Sequence, residues 1–266
     1  DLTVTGVQTC ALPIYSEEVL GRAISHRRSE YFLASKCGHY VESSDDDKNG
    51  NSWGESDLRE REWTKKTIIE SVDRSLKRMK TDYLDLIQLH SCDLDILHEG
   101  EVIDAIDRMK EAGKVRFIGY SGDNEAAEWA SLDSRFDSIQ TSFNVLDQGA
   151  KNMVFPGVNK TQKGLIAKRP IANGAWGTDK SPSAYASEYF RRYEIIKSNG
   201  IDIDTDLSPI ELSLAFALSH QIINVHIVGT TNLSHLKSNI KQVETGLLLD
   251  EKTLNQLYEI YDQSND

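Results

Sequence analysis

The segment Thr64–His90, TKKTIIESVDRSLKRMKTDYLDLIQLH, constrains the fold more than any other part of the chain. Its first part carries Ile68, Ile69, Val72, Leu76 and Met79 at intervals of three and four, which puts them on one face of a helix. Lys65, Lys66, Glu70, Asp73, Arg74, Lys77 and Arg78 fill the other face. Thr81 and Asp82 break the period. Tyr83 to Leu89 is then apolar except for Asp85 and Gln88, reads as a strand buried on most sides, and stops at His90. A helix feeding a buried strand with a polar residue at its C-terminal end is one unit of a parallel α/β fold. In such folds chemistry sits at that end.

The same alternation recurs along the chain. A helix is expected from Ser16, with Ser16 as its cap and Val19, Leu20, Ala23 and Ile24 as its buried stripe. YFLASK, from Tyr31, reads as a strand ending at Lys36. Gly38–Glu62 is too rich in Gly, Ser and Asp to pack and reads as a long functional loop, in which Trp53 is a candidate for lining a substrate mouth. Val102–Ala112 is a helix closed by Gly113. KVRFIGYS from Lys114 is a strand, Asn124–Leu132 a helix, and FDSIQTSFN from Phe136 a strand ending near Gln140. Gly149–Lys160 carries no clear period. GLIAKRPI from Gly164 is a strand, and Ala184–Ser198 a helix. Ser208 caps another helix with Pro209 in its first turn. NVHIVGTT from Asn224 is the last strand, followed by helices over Leu233–Val243 and Asp250–Tyr261. Six strands alternating with helices predict a parallel sheet in one large α/β domain.

The chain has 266 residues and a formal net charge of −12, and no basic stripe, so a nucleic-acid partner is not expected. No apolar run is long enough to cross a bilayer, so no membrane partner is expected either. Cys10, Cys37 and Cys92 show no metal-like spacing and their number is odd, which fits a reducing cytoplasm. Oligomeric state is not legible. GxGxxG, HExxH, GxSxG and P-loop patterns are absent, so chemistry is sought at strand ends.

Lys36 and His90 both end apolar strand runs. A lysine there is desolvated unless a partner or substrate uses it, and two such groups in neighbouring units can face one pocket. The alternative is that each ends its strand at the surface. The GTTNLSHLKSN segment at Gly229 is a strand end, a turn of a glycine and two threonines, and a helix start. Free N–H groups at such a start suit a phosphate, or an ordinary cap. Asp85 reads as a hydrogen-bonded core partner, and the remaining histidines as surface or core residues.

SLKRMKTDYLDLIQLH resembles the stretch of aldo-keto reductases that ends in their active-site histidine, and the resemblance runs from about Tyr15 to the C-terminus. It implies a (β/α)8 TIM barrel that interconverts a carbonyl and an alcohol with NADP, or NAD, as cofactor. In that family a tyrosine protonates the carbonyl oxygen, a lysine lowers the tyrosine's pKa, an aspartate pairs with the lysine, and a histidine orients the carbonyl. Lys36 in LASKCG matches the lysine, and His90 in LIQLHSCD the histidine. Ser121 in IGYSGDN and Gln140 in SIQTSFN resemble the ligands of the nicotinamide carboxamide; Gly122 stands where an asparagine often follows the serine. Lys168 and Arg169 lie at the phosphate-side strand end. Gly229, Thr230, Thr231, His235 and Asn239 resemble the site for the adenosine 2′-phosphate, where Gly229 and His235 replace a lysine and an arginine found in many members. Weaker preference for NADP over NAD follows.

The family tyrosine belongs to a Tyr-Gly-x-Ser-Glu pattern. Counting back from Ser16-Glu17 places Pro13 at that position and Tyr15 at the variable one. Val4–Ile14, VTGVQTCALPI, resembles translated sequencing adapter. Residues 1–14 are therefore expected to be a non-native segment before an oxidoreductase domain of residues 15–266, a barrel lacking its first two strands. The open edge would then lie beside YFLASK. The expectation is a chain that retains Lys36 and His90 but is inactive. A cofactor-binding barrel without turnover, and an aldolase-like barrel with Lys36 as a Schiff-base lysine, are the rival readings.

Overall fold

The computed structural model describes residues 6–8, 13–38, 63–199, 205–230 and 232–264. They divide into two compact units, residues 3–139 and 140–266. The long loop expected between Gly38 and Glu62, with Trp53, lies almost wholly outside the described residues.

The first unit runs β1 (Gly6–Gln8), α1 (Pro13–Ala23), β2 (Phe32–Cys37), α2 (Lys65–Met79), β3 (Leu84–His90), α3 (Leu94–Glu99), α4 (Glu101–Glu111), β4 (Val115–Ser121) and α5 (Asn124–Leu132). Strands β1 to β4 pair in sequence order, all parallel. Helix α2 is the helix expected from the Ile68–Met79 stripe. Thr64 caps it, its Oγ1 accepting from the Thr67 N–H at 3.2 Å, and Lys80 ends it in the left-handed region with φ 53°. Ile68, Val72, Leu76 and Met79 are all buried, so the apolar face supplies most of the helix's stability. Strand β3 is buried from Leu84 to Leu89, as its near-continuous apolar run requires.

Asp85 is the hydrogen-bonded core partner expected of it. Its carboxylate accepts from Arg28 Nη2 at 2.7 Å, from Arg116 Nη1 at 3.0 Å and from the Leu33 N–H at 2.8 Å. The guanidinium groups of Arg28 and Arg116 lie 4.0 and 4.2 Å from the centre of the Tyr83 ring. A buried carboxylate is tolerated because every oxygen is used.

Two expectations are corrected here. The edge of β2 is not bare, because Gly6–Gln8 pair with Phe32–Ala34. Ladder pairing uses backbone groups, so an extended segment can cover an open edge whatever its side chains. Helix α1 begins at Pro13, and Ser16 lies within it; proline's fixed φ suits a first helical position. Its buried face is not the predicted stripe: Val19 is 37% exposed, whereas Glu17 is fully buried. Glu17 accepts from Ser35 Oγ at 2.8 Å, from Ser75 Oγ at 2.7 Å and from Arg78 Nη1 at 3.3 Å, which turns this carboxylate inward. Gly21 faces the same way, its Cα against the backbone of Arg78 and Met79 with no room for a Cβ.

The second unit carries β5 (Ser138–Ser142, which spans the boundary), α6 (Ala150–Met153), α7 (Phe155–Thr161), β6 (Gly164–Lys168), α8 (Ser187–Ser198), α9 (Pro209–Leu218), β7 (Val225–Ile227), α10 (Leu233–Thr245) and α11 (Glu251–Ser264). Strands β6 and β7 are parallel, with Ile166 opposite Val225. Strand β5 extends to Ser142, so Gln140 is in mid-strand and not near its end. Two short helices fill the region without a period. Ser208 caps α9 as expected; Ser208 Oγ accepts from the Glu211 N–H and the Glu211 carboxylate reaches back to the Ser208 N–H at 3.0 Å.

Candidate active site

Lys36 and His90 are placed by strand register. Lys36 is opposite Gln88 on the neighbouring strand, Gln88 is opposite Gly119, and His90 is opposite Ser121. Opposed residues in a parallel pair point to the same face, and so do residues two apart in one strand. Lys36, Gln88, His90 and Ser121 therefore share one face at the C-terminal ends of β2, β3 and β4. Ser35 points the other way, toward Glu17 of α1, so the shared face is the one turned away from that helix.

Local backbone chemistry fixes these ends. Ser91 turns the chain straight after His90 with φ 56°, and its N–H donates to Ser121 O at 2.8 Å. This ties the end of β3 to the end of β4. Tyr120 is buried and its hydroxyl donates to Cys92 O at 2.9 Å; burial pushes its pKa well up. A side chain at position 122 would collide with that tyrosine ring, which explains the glycine there. Gly38, with φ +104°, has the Trp63 ring in the space a side chain would take.

Buried polar atoms lack partners on this face. Both polar side-chain atoms of Gln88, the Ser121 hydroxyl and the Ser138 hydroxyl make no hydrogen bond among the described residues. Gly119 lies between Gln88 and Ser138, with Ser138 Oγ 2.7 Å and Gln88 Cγ 3.0 Å from where its Cβ would stand. A buried polar group without a partner costs free energy unless something else fills the role.

In the second unit, Gln140 is 2% exposed, and neither its Oε1 nor Asn144 Nδ2 has a partner among the described residues. Asn144 Oδ1 accepts from the Leu146 N–H at 2.9 Å, a turn-forming role. Lys168 ends β6 half-buried. Arg169 follows in the left-handed region with φ 59° and its Nη1 donates to Ser142 Oγ at 3.3 Å. Nearby Tyr189 donates to Asp147 Oδ2 at 2.9 Å, and burial raises its pKa to about 12. This cluster of Ser142, Asp147, Arg169 and Tyr189 has no signature in the sequence, since its members are far apart in the chain.

The Gly229 turn is exposed, as are Thr230 and His235. Thr231 lies outside the described residues. Asn232 caps α10, its Oδ1 accepting from the Ser234 N–H at 2.9 Å, and Thr230 Oγ1 accepts from the Asn232 N–H at 3.1 Å. The ordinary cap foreseen as an alternative is thus present. Asn239 is 9% exposed, one helical turn beyond His235. Among the described residues no His, Cys, Asp and Glu cluster suits a metal ion, and no helix is long and apolar enough to cross a membrane.

Comparison with known proteins decides the family. Residues 10–262 match the aldo/keto reductase family. The chain belongs to that family. An uncharacterized oxidoreductase of Bacillus subtilis, YqkF, is 29% identical over 89% of this chain and 76% of its own length. L-galactose dehydrogenase of Arabidopsis thaliana is 26% identical over 91% of this chain and 74% of its own. The structure of aldo-keto reductase AKR11C1 from Bacillus halodurans in its holo form superposes with a TM-score of 0.77 at 23% identity, covering 96% of this chain and 81% of that one. That likeness shows the fold, an α/β barrel.

Proposed function

We propose that the chain carries the carbonyl–alcohol oxidoreductase site of its family, with Lys36 and His90 as its remaining catalytic side chains and NADP, with NAD as an alternative, as cofactor. The observation that carries this is the register that sets Lys36 and His90 on one face at the strand ends where α/β enzymes work.

The residues present suit a nicotinamide. Its carboxamide needs one donor and one acceptor. Ser121 Oγ in the first unit and Gln140 Oε1 in the second are each buried without a partner among the described residues, and each is proposed as a carboxamide ligand in its own unit. Thr230, Thr231, His235 and Asn239, with Gly229 leaving space at the turn, would take the adenosine phosphate at the start of α10, and Lys168 the phosphate-side strand end. When bound, the reduced cofactor supplies hydride. His90 would donate a hydrogen bond to the substrate oxygen and orient the carbonyl, while the Lys36 ammonium favours negative charge on that oxygen as it develops. A proton must still reach the oxygen, and the family tyrosine's position holds Pro13. The chain is accordingly proposed to bind cofactor without efficient turnover, and the same substitution supports a second reading, a cofactor-binding barrel with no catalytic duty. The proposed substrate is a small carbonyl compound, in the cytoplasm.

The test is a NADPH fluorescence titration beside carbonyl-dependent NADPH oxidation. Binding with negligible oxidation is expected. Oxidation abolished by Lys36→Ala or His90→Ala would overturn the inactivity while upholding the reaction class; no binding would overturn the reading itself.

A further inference from the structure

We infer that Gln88 and Ser138 hold a buried water molecule on the face that carries Lys36 and His90, just inside the strand ends. The inference goes beyond the reductase reading and does not depend on it. It starts from a misfit in β3. Leu84 and Leu86 precede Gln88 on the same face and are buried, and a third apolar side chain would be buried there with no polar group to satisfy. Gln88 is instead fully buried, and neither its Oε1 nor its Nε2 is bonded among the described residues. Asp85, the other polar residue inside this strand, shows the contrast, since its carboxylate meets two guanidinium groups and a backbone N–H. An amide has two N–H donors and an acceptor oxygen, and burying it unpaired is unfavourable.

A second group of the same kind lies beside it. Ser138 is 9% exposed and its Oγ has no partner among the described residues. Ser138 Oγ and Gln88 Cγ lie 2.7 and 3.0 Å from the point where a Cβ of Gly119 would stand, so both side chains reach over the same glycine. All three residues belong to the first unit. The hydroxyl and the amide do not bond each other. One water that accepts from one and donates to the other satisfies both, and two polar partners are what a buried water needs. Register sets Lys36 opposite Gln88, so this water belongs to the level of the sheet just inside His90.

A double-mutant cycle in urea tests this on the full chain, with Gln88→Met and Ser138→Ala as the single variants. Losing either side of a bridged pair strands the other, so each single change should raise the unfolding equilibrium constant about 5- to 10-fold. The double variant removes both polar groups and should unfold no more readily than the less stable single one. Single changes that leave stability unchanged or raise it are what unbridged polar groups predict, and they overturn the inference, as do two losses that simply add. A high-resolution crystal structure of the wild type decides the matter even where a variant fails to fold. An ordered water within hydrogen-bond distance of both Ser138 Oγ and the Gln88 carboxamide is expected. A carboxamide bonded only to protein groups, with no water beside it, overturns the inference and leaves the reductase reading untouched.

Discussion

At the scale of single residues, close packing and exposure make specific predictions. Gly122 is dictated by Tyr120, whose ring is buried and tied through its hydroxyl to Cys92 O. Gly122→Asn should therefore cost about 1–3 kcal/mol of stability in urea titration, as overpacking does, and should not tighten cofactor binding. His235 lies at the exposed start of α10, the proposed site of the adenosine phosphate. His235→Arg should raise the ratio of NADPH to NADH affinity about 5- to 10-fold through a charge-assisted bond to the 2′-phosphate; an unchanged ratio would remove this turn from the phosphate site. Asp85 holds two guanidinium groups and a backbone N–H. Asp85→Ala should lower stability by about 3–5 kcal/mol, the usual result of stranding one side of a buried ion pair.

Among the elements, α1 shows where a sequence is easy to read and where it misleads. Apolar periodicity found α2, α4 and the strands β2 to β4, because each buries a simple apolar face. It failed at α1, where the inward face is Glu17 and Gly21. A carboxylate goes inward only when Ser35, Ser75 and Arg78, from other elements, meet it, and no local pattern announces them. The candidate site divides in the same way. Lys36 and His90 were legible as polar ends of apolar runs, Ser121 only through the family resemblance, and parallel register puts all three on one face. The Ser142–Arg169 and Asp147–Tyr189 contacts were not legible, since they depend on tertiary approach. Gly21→Ala tests the packing of α1: a Cβ there meets the Arg78 backbone, so the unfolding midpoint in urea should fall, by about 1–3 kcal/mol in free energy. An unchanged midpoint would mean that α1 does not sit on α2 as described.

For the molecule as a whole, acid should weaken the fold at a definite place. His220 lies among Phe143, Phe155, Phe216 and Tyr258. Its Nδ1 is 2.7 Å from Phe216 O, which can only accept, so Nδ1 carries the proton and Nε2 accepts from the Tyr258 hydroxyl at 2.8 Å. Burial pulls its pKa down to about 4. The unfolded chain thus binds a proton that the folded one refuses between about pH 6.5 and 4. Stability is full above pH 6.5 and is lost as pH falls through that window, by up to about 3 kcal/mol. His220→Gln should flatten this part of the stability–pH curve in urea titrations at pH 7 and 4.5.

The proposed site depends on one shared face at the ends of three parallel strands. A crystal structure of the chain soaked with NADP+ tests it most directly. The nicotinamide should lie against Lys36 and His90, with its carboxamide hydrogen-bonded to Ser121 Oγ. A dinucleotide bound with its nicotinamide away from that face would contradict the account.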